Sequence, residues 1–297
     1  MTQVINWSRD SGDGVYIGWG HNPNEPKHIS HRTMTFETTT HTLTGAKFVS
    51  FLQQLFGAKQ GVYDADAIRK MHGTREPNNG DTLIIDEKQD INGTITWDMG
   101  SGDFSQTQEF RGTRHTDEMN IINFENLDAS EADRIDFTIK GTNGDNEITT
   151  SDGRDEIDAG QGLNTISTGK GRDTVTGGIG VDVVNGGDHS DTFITQVGRG
   201  LMFIEDFTQG EDKLLMVEGV TDGIDPVIKD YRDAWEDIRD HLQRAGLDPW
   251  EAEGIYHDAI DDFSNASVVY KDGDLVAVID GVSANELSID TRRNAIV

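Results

Sequence analysis

Residues 141–194 read GTNGDNEIT TSDGRDEID AGQGLNTIS TGKGRDTVT GGIGVDVVN GGDHSDTFI when they are written as six nine-residue units. The eighth position of every unit is apolar, and the sixth is always Asn or Asp. The fourth position is Gly in five units and His189 in the last. No gap interrupts the register, so a structural repeat explains this segment far better than a Gly-rich linker does.

The pattern resembles the G-G-x-G-x-D-x-U-x nonapeptide of RTX (repeats-in-toxin, hemolysin-type calcium-binding) proteins. The resemblance covers about 121–217, including an ENL lead-in at 125–127 and a closing segment at 201–219 with Asp206 and Asp212. The C-terminal tail also resembles the export signals of type I secretion substrates, although Asn294 stands where those signals often carry an acidic residue. The resemblance implies a mainly β fold, with a right-handed parallel β-roll or β-helix.

The unit predicts a core of stacked single side chains. Positions seven to nine form a very short strand with one inward apolar residue, and two consecutive units make one coil. Side chains at the same position in every second unit therefore stack, and we expect a first coil at Ile121, below Ile139. One predicted wall of the core consists of Ile139, Ile157, Val175 and Phe193, and the other of Ile148, Ile166 and Val184.

Such a thin core offsets little of the entropy lost when a Gly-rich chain becomes ordered. The turns, however, bring a carboxylate and several backbone carbonyl oxygens together once in every coil, and calcium prefers six to eight oxygen ligands. We therefore predict that several Ca²⁺ ions lie between the turns. The predicted ligands are Asp155, Asp173, Asp191, Asp182, Asn164, Asn146, Gly153, Gly171, Gly162, Gly180 and Asp212.

The two edges of the roll differ in charge. The even units carry Asp155, Asp173 and Asp191 at position six, whereas the odd units carry Asn146, Asn164 and Asp182. We expect the tighter sites on the even edge, with His189 weakening the one between Asp173 and Asp191. On the odd edge we expect an intermediate site at Asn164/Asp182 and a weak or empty one at Asn146/Asn164.

Composition narrows the classes of partner. The 297 residues include 54 Asp and Glu against 25 Lys and Arg, which gives a net charge of −29. This charge disfavours nucleic acids and anionic membranes and favours cations. The absence of cysteine excludes disulfides, thiolate zinc sites and a Cys nucleophile. No apolar run reaches the roughly 18 residues of a transmembrane segment, and no Sec-type N-terminal signal is visible, so the chain is either cytoplasmic or exported by a route that reads another signal. The resemblance of the tail to type I signals implies export by that route.

The flanking sequence predicts further elements. Ile228, Tyr231 and Trp235 begin a helical pattern that starts at Asp225-Pro226 and stops at Gly246, and a second helix is expected from Asp248. We favour a helical cap on the roll over a partner-binding hairpin. Near the N-terminus we predict helices over 44–57 and 65–71, with strands around them. The predicted division is an α/β module at 1–80, irregular β coils at 81–140, the roll at 141–217, the cap at 218–265 and a β hairpin with the export signal at 266–297.

Motifs for catalysis are not visible in the sequence. It contains no H-E-x-x-H, G-x-S-x-G or phosphate-binding loop. His21, His28, His31 and His41 lie close together, and His28 and His31 have a spacing that a metal site can use on a helix. The flanking prolines and β-branched residues argue against a helix there, and no acidic residue has the right spacing to complete a site. Trp7, Tyr16 and Trp19 fit core positions better than a sugar-binding platform.

The sequence favours a non-enzymatic, calcium-binding extracellular protein that folds on calcium binding. An adhesion or surface-structural role is the first hypothesis, with surface polysaccharide or another protein as the partner. Two alternatives stay open. One is a virion or tail-appendage component that uses the roll as a rigid spacer. The other is an enzyme module acting on an acidic polysaccharide.

Overall fold

The computed structural model describes part of the 297-residue chain. The described residues are 2–9, 13–20, 31–38, 41–43, 70–72, 82–86, 93–110, 113–122, 124–132, 135–196, 198, 200–217, 226–247, 254, 265–290 and 295–297. The fold is mainly β and contains a parallel β-solenoid of about five turns, as a β-roll requires. Its residues separate into two compact units, Met1–Thr142 with Glu147–Gly153, and Asn143–Asn146 with Arg154–Val297.

Within the described ranges, the first unit contains thirteen strands. They are β1 (Thr2–Arg9), β2 (Asp13–Gly20), β3 (His31–Thr38), β4 (His41–Leu43), β5 (Lys70–His72), β6 (Thr82–Asp86), β7 (Gly93–Asp98), β8 (Asp103–Phe110), β9 (Thr113–Ile122), β10 (Asn126–Asp128), β11 (Ile135–Lys140), β12 (Asn146–Thr149, whose first residue belongs to the second unit) and β13 (Asp152–Gly153). One sheet has the order β12-β10-β6-β2-β1-β3-β4, and another has the order β11-β7-β8-β9-β5.

The predicted first coil at Ile121 is wrong. Ile139 stacks on Trp97, because β11 pairs in parallel with β7, whereas Ile121 pairs with Met71. The β8–β9 hairpin, which folds back on β7, separates the two stacked strands along the chain. Trp97 is buried in edge-to-face contact with Phe104 and Phe124, so this lead-in has a bulkier core than the repeats.

The helices predicted over 44–57 and 65–69 lie outside the described residues. The second helix was predicted to run to Met71. Its end is wrong, because Lys70–His72 is a strand paired with Asn120–Ile122. The strands predicted in VYIGWG and TMTFETTTHTL are present as β2, β3 and β4, whereas β1 was not predicted, and β2 pairs in parallel with β6.

The second unit contains the remaining strands. They are β14 (Glu156–Asp158), β15 (Gln161–Ser167), β16 (Lys170–Gly171), β17 (Thr174–Thr176), β18 (Ile179–Asn185), β19 (Thr192–Gln196), β20 (Gly200–Ile204), β21 (Lys213–Val217), β22 (Val227–Asp230), β23 (Ser267–Lys271), β24 (Asp274–Ile279), β25 (Ile289–Asp290) and β26 (Ala295–Ile296). One sheet has the order β22-β23-β24-β20-β18-β15, and another has the order β25-β26-β21-β19-β17-β14.

The core of the roll follows the repeat. Ile157 stacks on Val175 and Val175 on Phe193, and on the other wall Ile166 stacks on Val184. All five side chains are buried, as predicted. Burial of one such side chain contributes about 1.5–3 kcal/mol. The walls continue past the repeat with Leu214 and Ile204.

A single-turn 3₁₀ helix (Tyr231–Asp233) and the α-helix α1 (Trp235–Arg244) cover the outer face of one sheet. Ile238 and Leu242 of α1 are fully buried in a cluster with Val181, Leu201 and Phe203. The predicted start at Pro226 is wrong, because Val227–Asp230 forms a strand that pairs with Ser267–Tyr270. The predicted stop is correct, since Gly246 follows the helix with φ +97°. The predicted second helix lies outside the described residues, apart from Gly254.

Candidate metal centre

Four buried carboxylates form a ladder along one edge of the roll. The backbone amide of Asp155 donates to Oδ1 of Asp173, that of Asp173 donates to Oδ1 of Asp191, and that of Asp191 donates to Oδ1 of Asp212, each at 2.8 Å. We call these four residues the aspartate ladder. Each of them is at most 2% exposed, so the negative charges are held together away from water.

The repeat itself creates the ladder. Position six lies just before the short strand that carries the core side chain, and these strands stack in register. Backbone bonds clamp the coils at the same point, from the Thr174 amide to the Asp155 carbonyl and from the Thr192 amide to the Asp173 carbonyl, both at 2.8 Å. A spacing of two repeat units therefore becomes a stack of carboxylates.

Asp191 offers the clearest position for a cation among the ladder residues. Its Oδ2 is buried and has no hydrogen-bond partner. Burial is the main cause that raises the pKa of Asp191 to about 8. The Asp173 amide opposes the rise, and the neighbouring carboxylates of Asp173, Asp212 and Asp206 add to it. A buried carboxylate oxygen without a donor is costly unless a proton or a cation compensates it.

Gly186 makes room beside that oxygen. A Cβ atom at this position would lie 2.8 Å from Oδ2 of Asp191 and 2.8 Å from the ring of Phe193. Glycine at the first position of the unit thus keeps the space next to the carboxylate open. The donor set is all oxygen, which suits calcium rather than a transition metal.

Asp212 and Asp206 close the ladder at its end. Asp212 accepts from the Asp191 amide at 2.8 Å and from the Thr208 amide at 2.7 Å, so both of its oxygens have donors. Asp206 accepts from the amides of Gly186 and Gly187, at 2.9 and 2.5 Å. Burial raises the pKa of both carboxyl groups. The glycines that bind Asp206 lie in the preceding coil, outside the closing segment, so the sequence pattern did not reveal this contact.

The opposite edge has a different hydrogen-bond arrangement. The Asn146 amide donates to Oδ1 of Asn164 at 3.0 Å, and Nδ2 of Asn164 donates to Oδ1 of Asp182 at 2.8 Å. Oδ2 of Asp182 accepts from the Gly178 amide at 3.0 Å. Burial raises the pKa of Asp182 to about 6, and the bonds from Asn164 and Gly178 oppose the rise. Donors therefore occupy both oxygens of the carboxylate at position six of this edge.

The sequence placed the predicted glycine ligands in turns, but all four lie in strands of the structure: Gly153 in β13, Gly162 in β15, Gly171 in β16 and Gly180 in β18. Gly162 and Gly180 are in register, and a Cβ on Gly180, whose φ is +126°, would lie 2.1 Å from the Gly162 carbonyl oxygen. Gly171 donates its amide to the Asp188 carbonyl at 3.1 Å. Gly153 lies in β13 of the first unit. Position four thus packs backbone against backbone on the odd edge.

His189 adopts a conformation that glycine usually occupies. Its φ is +89°, and its exposed ring lies over its own turn, with Nδ1 2.8 Å from the Asp188 carbonyl oxygen. The side chain therefore points away from the buried ladder. The prediction that His189 weakens the neighbouring site stays a prediction.

In the part of the chain that the structure describes, no three Asp, Glu or His side chains converge on a common point. A bound ion would take ligands from stacked carboxylates and from backbone carbonyl oxygens of the turns, which is the coordination that calcium tolerates.

A family model that describes four copies of the RTX calcium-binding nonapeptide repeat matches residues 138–166 and 160–193. Residues 138–193 are RTX calcium-binding repeats. Comparison with curated proteins gives no match for the chain. The chain therefore carries RTX calcium-binding repeats within a β-solenoid. Among the described residues, no helix has the length and apolar character needed to cross a membrane.

Proposed function

We propose that the aspartate ladder binds calcium and that binding couples to folding of the roll in an extracellular setting. Asp191 carries the proposal, because its buried Oδ2 has no donor and the carboxylates of Asp173, Asp212 and Asp206 are near enough to raise its pKa. Bound calcium supplies the positive charge that these carboxylates lack. Asp155, Asp173, Asp191 and Asp212 would provide carboxylate oxygens, and the turns would provide carbonyl oxygens.

Charge supports the coupling of binding to folding. The chain carries a net charge of −29, and its ladder carboxylates repel one another most strongly when the roll is closed. Without a bound cation, both repulsion between the carboxylates and their desolvation therefore destabilise the closed roll. Extracellular calcium modules bind with dissociation constants of about 10⁻⁴–10⁻³ M. The roll would then stay open in a calcium-poor cytosol and close outside the cell.

The proposed setting is the cell exterior, reached by type I export, with an adhesion or surface-structural role. RTX repeats are typical of secreted proteins, and the tail resembles a type I signal. The lack of the metalloprotease, lipase and nucleotide-binding motifs in the sequence favours a binding or structural role over catalysis.

Circular dichroism in millimolar calcium and in excess chelator tests the coupling. We expect β structure and a cooperative thermal transition in calcium, and loss of both in chelator. The same spectrum in both conditions would refute coupled folding. Fractionation of the native cells tests the location, because the proposal requires the protein in the medium or on the surface.

A further inference from the structure

A cavity of about 680 Å³ lies between the odd edge of the roll and the C-terminal end of α1. All of its lining residues belong to the second compact unit. The cavity is separate from the aspartate ladder, since no ladder residue lines it. Its volume falls within the roughly 300–1,000 Å³ of ordinary small-molecule sites.

The roll side of the cavity is built from the variable positions of the repeat. Positions three and five of the odd units all line it. From the first unit to the fifth these pairs change from polar to apolar: Asn143 and Asp145, then Gln161 and Leu163, then Ile179 and Val181. Ile179 is 37% exposed and is one of three exposed large apolar side chains among the described residues.

The even edge has a different composition at the same positions. There, positions three and five are charged or polar in every unit: Asp152 and Arg154, Lys170 and Arg172, Asp188 and Ser190. The repeat therefore tolerates solvated charges at these positions. Val181 is 1% exposed in the buried cluster with α1, and Leu163 packs against that cluster, so Ile179 is the apolar side chain of this edge that stays exposed in the cavity.

The helix side adds polar groups. His241 is about nine-tenths buried, lines the cavity, and its Nδ1 has no hydrogen-bond partner. Burial and the nearby Arg244 lower the pKa of His241 against the opposing effect of Asp274, so the ring is neutral at pH 7. A neutral imidazole offers one donor and one acceptor. Gly246 and Leu247, which follow α1, complete this side.

Neighbouring contacts fix the other polar side chains while leaving capacity for a ligand. Oδ1 of Asp145 accepts from the Leu163 amide at 2.8 Å, and Oδ2 of Asp274 accepts from the Gly198 amide at 2.6 Å. Nε of Arg244 donates to the Asp240 carbonyl at 3.1 Å, and Nε2 of Gln161 donates to Oδ1 of Asn143 at 3.1 Å. Each side chain has a second donor or acceptor that these bonds do not use.

We propose that this cavity binds a neutral polyol, a mono- or disaccharide. Acceptors on Asp145 and Asp274 and donors on Arg244, Gln161 and Asn143 match hydroxyl groups, which both donate and accept. The aliphatic wall of Leu163 and Ile179 matches the C–H face of a sugar ring. The two carboxylates and the net charge of −29 disfavour anionic ligands. The polar groups along the wall disfavour an acyl chain, which would leave them without partners.

The inference rests on the proposed function only in that the roll is folded when calcium is present. Saccharide binding would supply the recognition that an adhesion role needs. The two ideas can fail separately, because circular dichroism reports calcium-dependent folding and ligand titration reports the cavity.

The test is calorimetric titration of the full chain, in saturating calcium, with glucose, galactose, mannose, maltose and lactose. Glucuronate and ethanolamine serve as the anionic and cationic comparisons. Arg244→Ala and Gln161→Ala remove cavity donors on exposed side chains, and Arg239→Ala is the matched control on the same helix, since Arg239 does not line the cavity. Circular dichroism of each variant checks the fold.

We expect saturable binding of at least one neutral saccharide. Each cavity variant should weaken it about tenfold, and Arg239→Ala should leave it within about twofold. The proposal is overturned if no saccharide binds the folded protein, if glucuronate or ethanolamine binds more tightly, or if neither cavity variant changes the affinity. If the spectrum is the same with and without calcium, coupled folding fails while the titration still decides the saccharide site.

Discussion

The backbone amide of Asp173 donates to Oδ1 of Asp191 at 2.8 Å, across two repeat units of the chain. The bond fixes one oxygen of Asp191 and leaves Oδ2, buried and without a donor, facing the space that Gly186 keeps open. The same amide-to-carboxylate bond joins Asp155 to Asp173. One repeated contact thus aligns the carboxylates that we propose as calcium ligands.

The middle of the ladder should matter most. Asp173→Asn keeps an oxygen that can accept from the Asp155 amide. It removes the charge that the two proposed calcium sites share, one between Asp155 and Asp173 and the other between Asp173 and Asp191. We expect the calcium midpoint of folding to rise about tenfold or more, because contacts to a charged group contribute about 1.5–3 kcal/mol. Calcium titration followed by circular dichroism measures this calcium midpoint of folding.

Glu156→Gln is the matched control for that variant. Glu156 lies on the neighbouring short strand, is exposed, and loses the same single charge on substitution. Its midpoint should stay within about twofold of the unmodified protein, since exposed charges interact weakly. Equal shifts for Asp173→Asn and Glu156→Gln would mean that net charge, and not the ladder, sets the affinity.

The two edges should respond differently to the same substitution. Asp191→Asn removes the charge beside an oxygen without a donor, whereas Asp182→Asn acts where donors already occupy both oxygens. We expect Asp191→Asn to raise the calcium midpoint more than Asp182→Asn, by about fivefold or more. Isothermal titration of both variants measures their calcium affinities. A larger loss of affinity for Asp182→Asn than for Asp191→Asn would contradict the prediction that the tighter sites lie on the even edge.

Close backbone approach on the odd edge predicts a stability effect. Gly180→Ala places a Cβ 2.1 Å from the Gly162 carbonyl oxygen, in addition to the strain of a positive φ. Gly210→Ala introduces a similar φ strain with no atom within 4 Å of the new Cβ. In saturating calcium, urea unfolding should show a loss of about 1–2 kcal/mol for Gly210→Ala.

For Gly180→Ala the loss should be larger by about 1–3 kcal/mol, which is the usual cost of forced overpacking. Similar losses for the two variants would mean that the coils move apart without penalty at this point.

Calcium should stabilise the roll in a concentration-dependent way. Because only the folded roll holds the aligned carboxylates, the melting temperature should keep rising with calcium above the dissociation constant. Magnesium should give a much smaller rise, since it demands tight octahedral geometry and releases its water reluctantly. Differential scanning calorimetry with each ion at equal ionic strength measures this. Equal rises in melting temperature with calcium and with magnesium would mean that the ions act by screening charge and not by specific binding.

The local sequence was sufficient to predict the stacked core of the roll and the alignment of the aspartates along one edge. Ile157, Val175 and Phe193 stack as predicted, because the nine-residue period sets both the strand and the coil length. The same period placed Asp155, Asp173 and Asp191 on one edge, where the structure finds them.

Distant pairing limited the prediction elsewhere. Val227–Asp230 has a helical pattern in the sequence, but its partner strand lies much later in the chain at Ser267–Tyr270, and pairing overrides the local preference. Ile139 stacks on Trp97 and not on Ile121, since a whole hairpin lies between the paired strands. The cavity was not predicted because it needs Leu163 and Ile179 beside His241, and only packing of α1 brings these side chains together.

The most direct test of the calcium account is a crystal structure of the full chain grown in millimolar calcium, with ions located by anomalous scattering. The account predicts calcium between Asp155 and Asp173 and between Asp173 and Asp191, with Oδ2 of Asp191 as a ligand and lower occupancy beside Asn146 and Asn164. The account would be contradicted if the coils were fully ordered but no anomalous density lay between Asp155 and Asp173 or between Asp173 and Asp191.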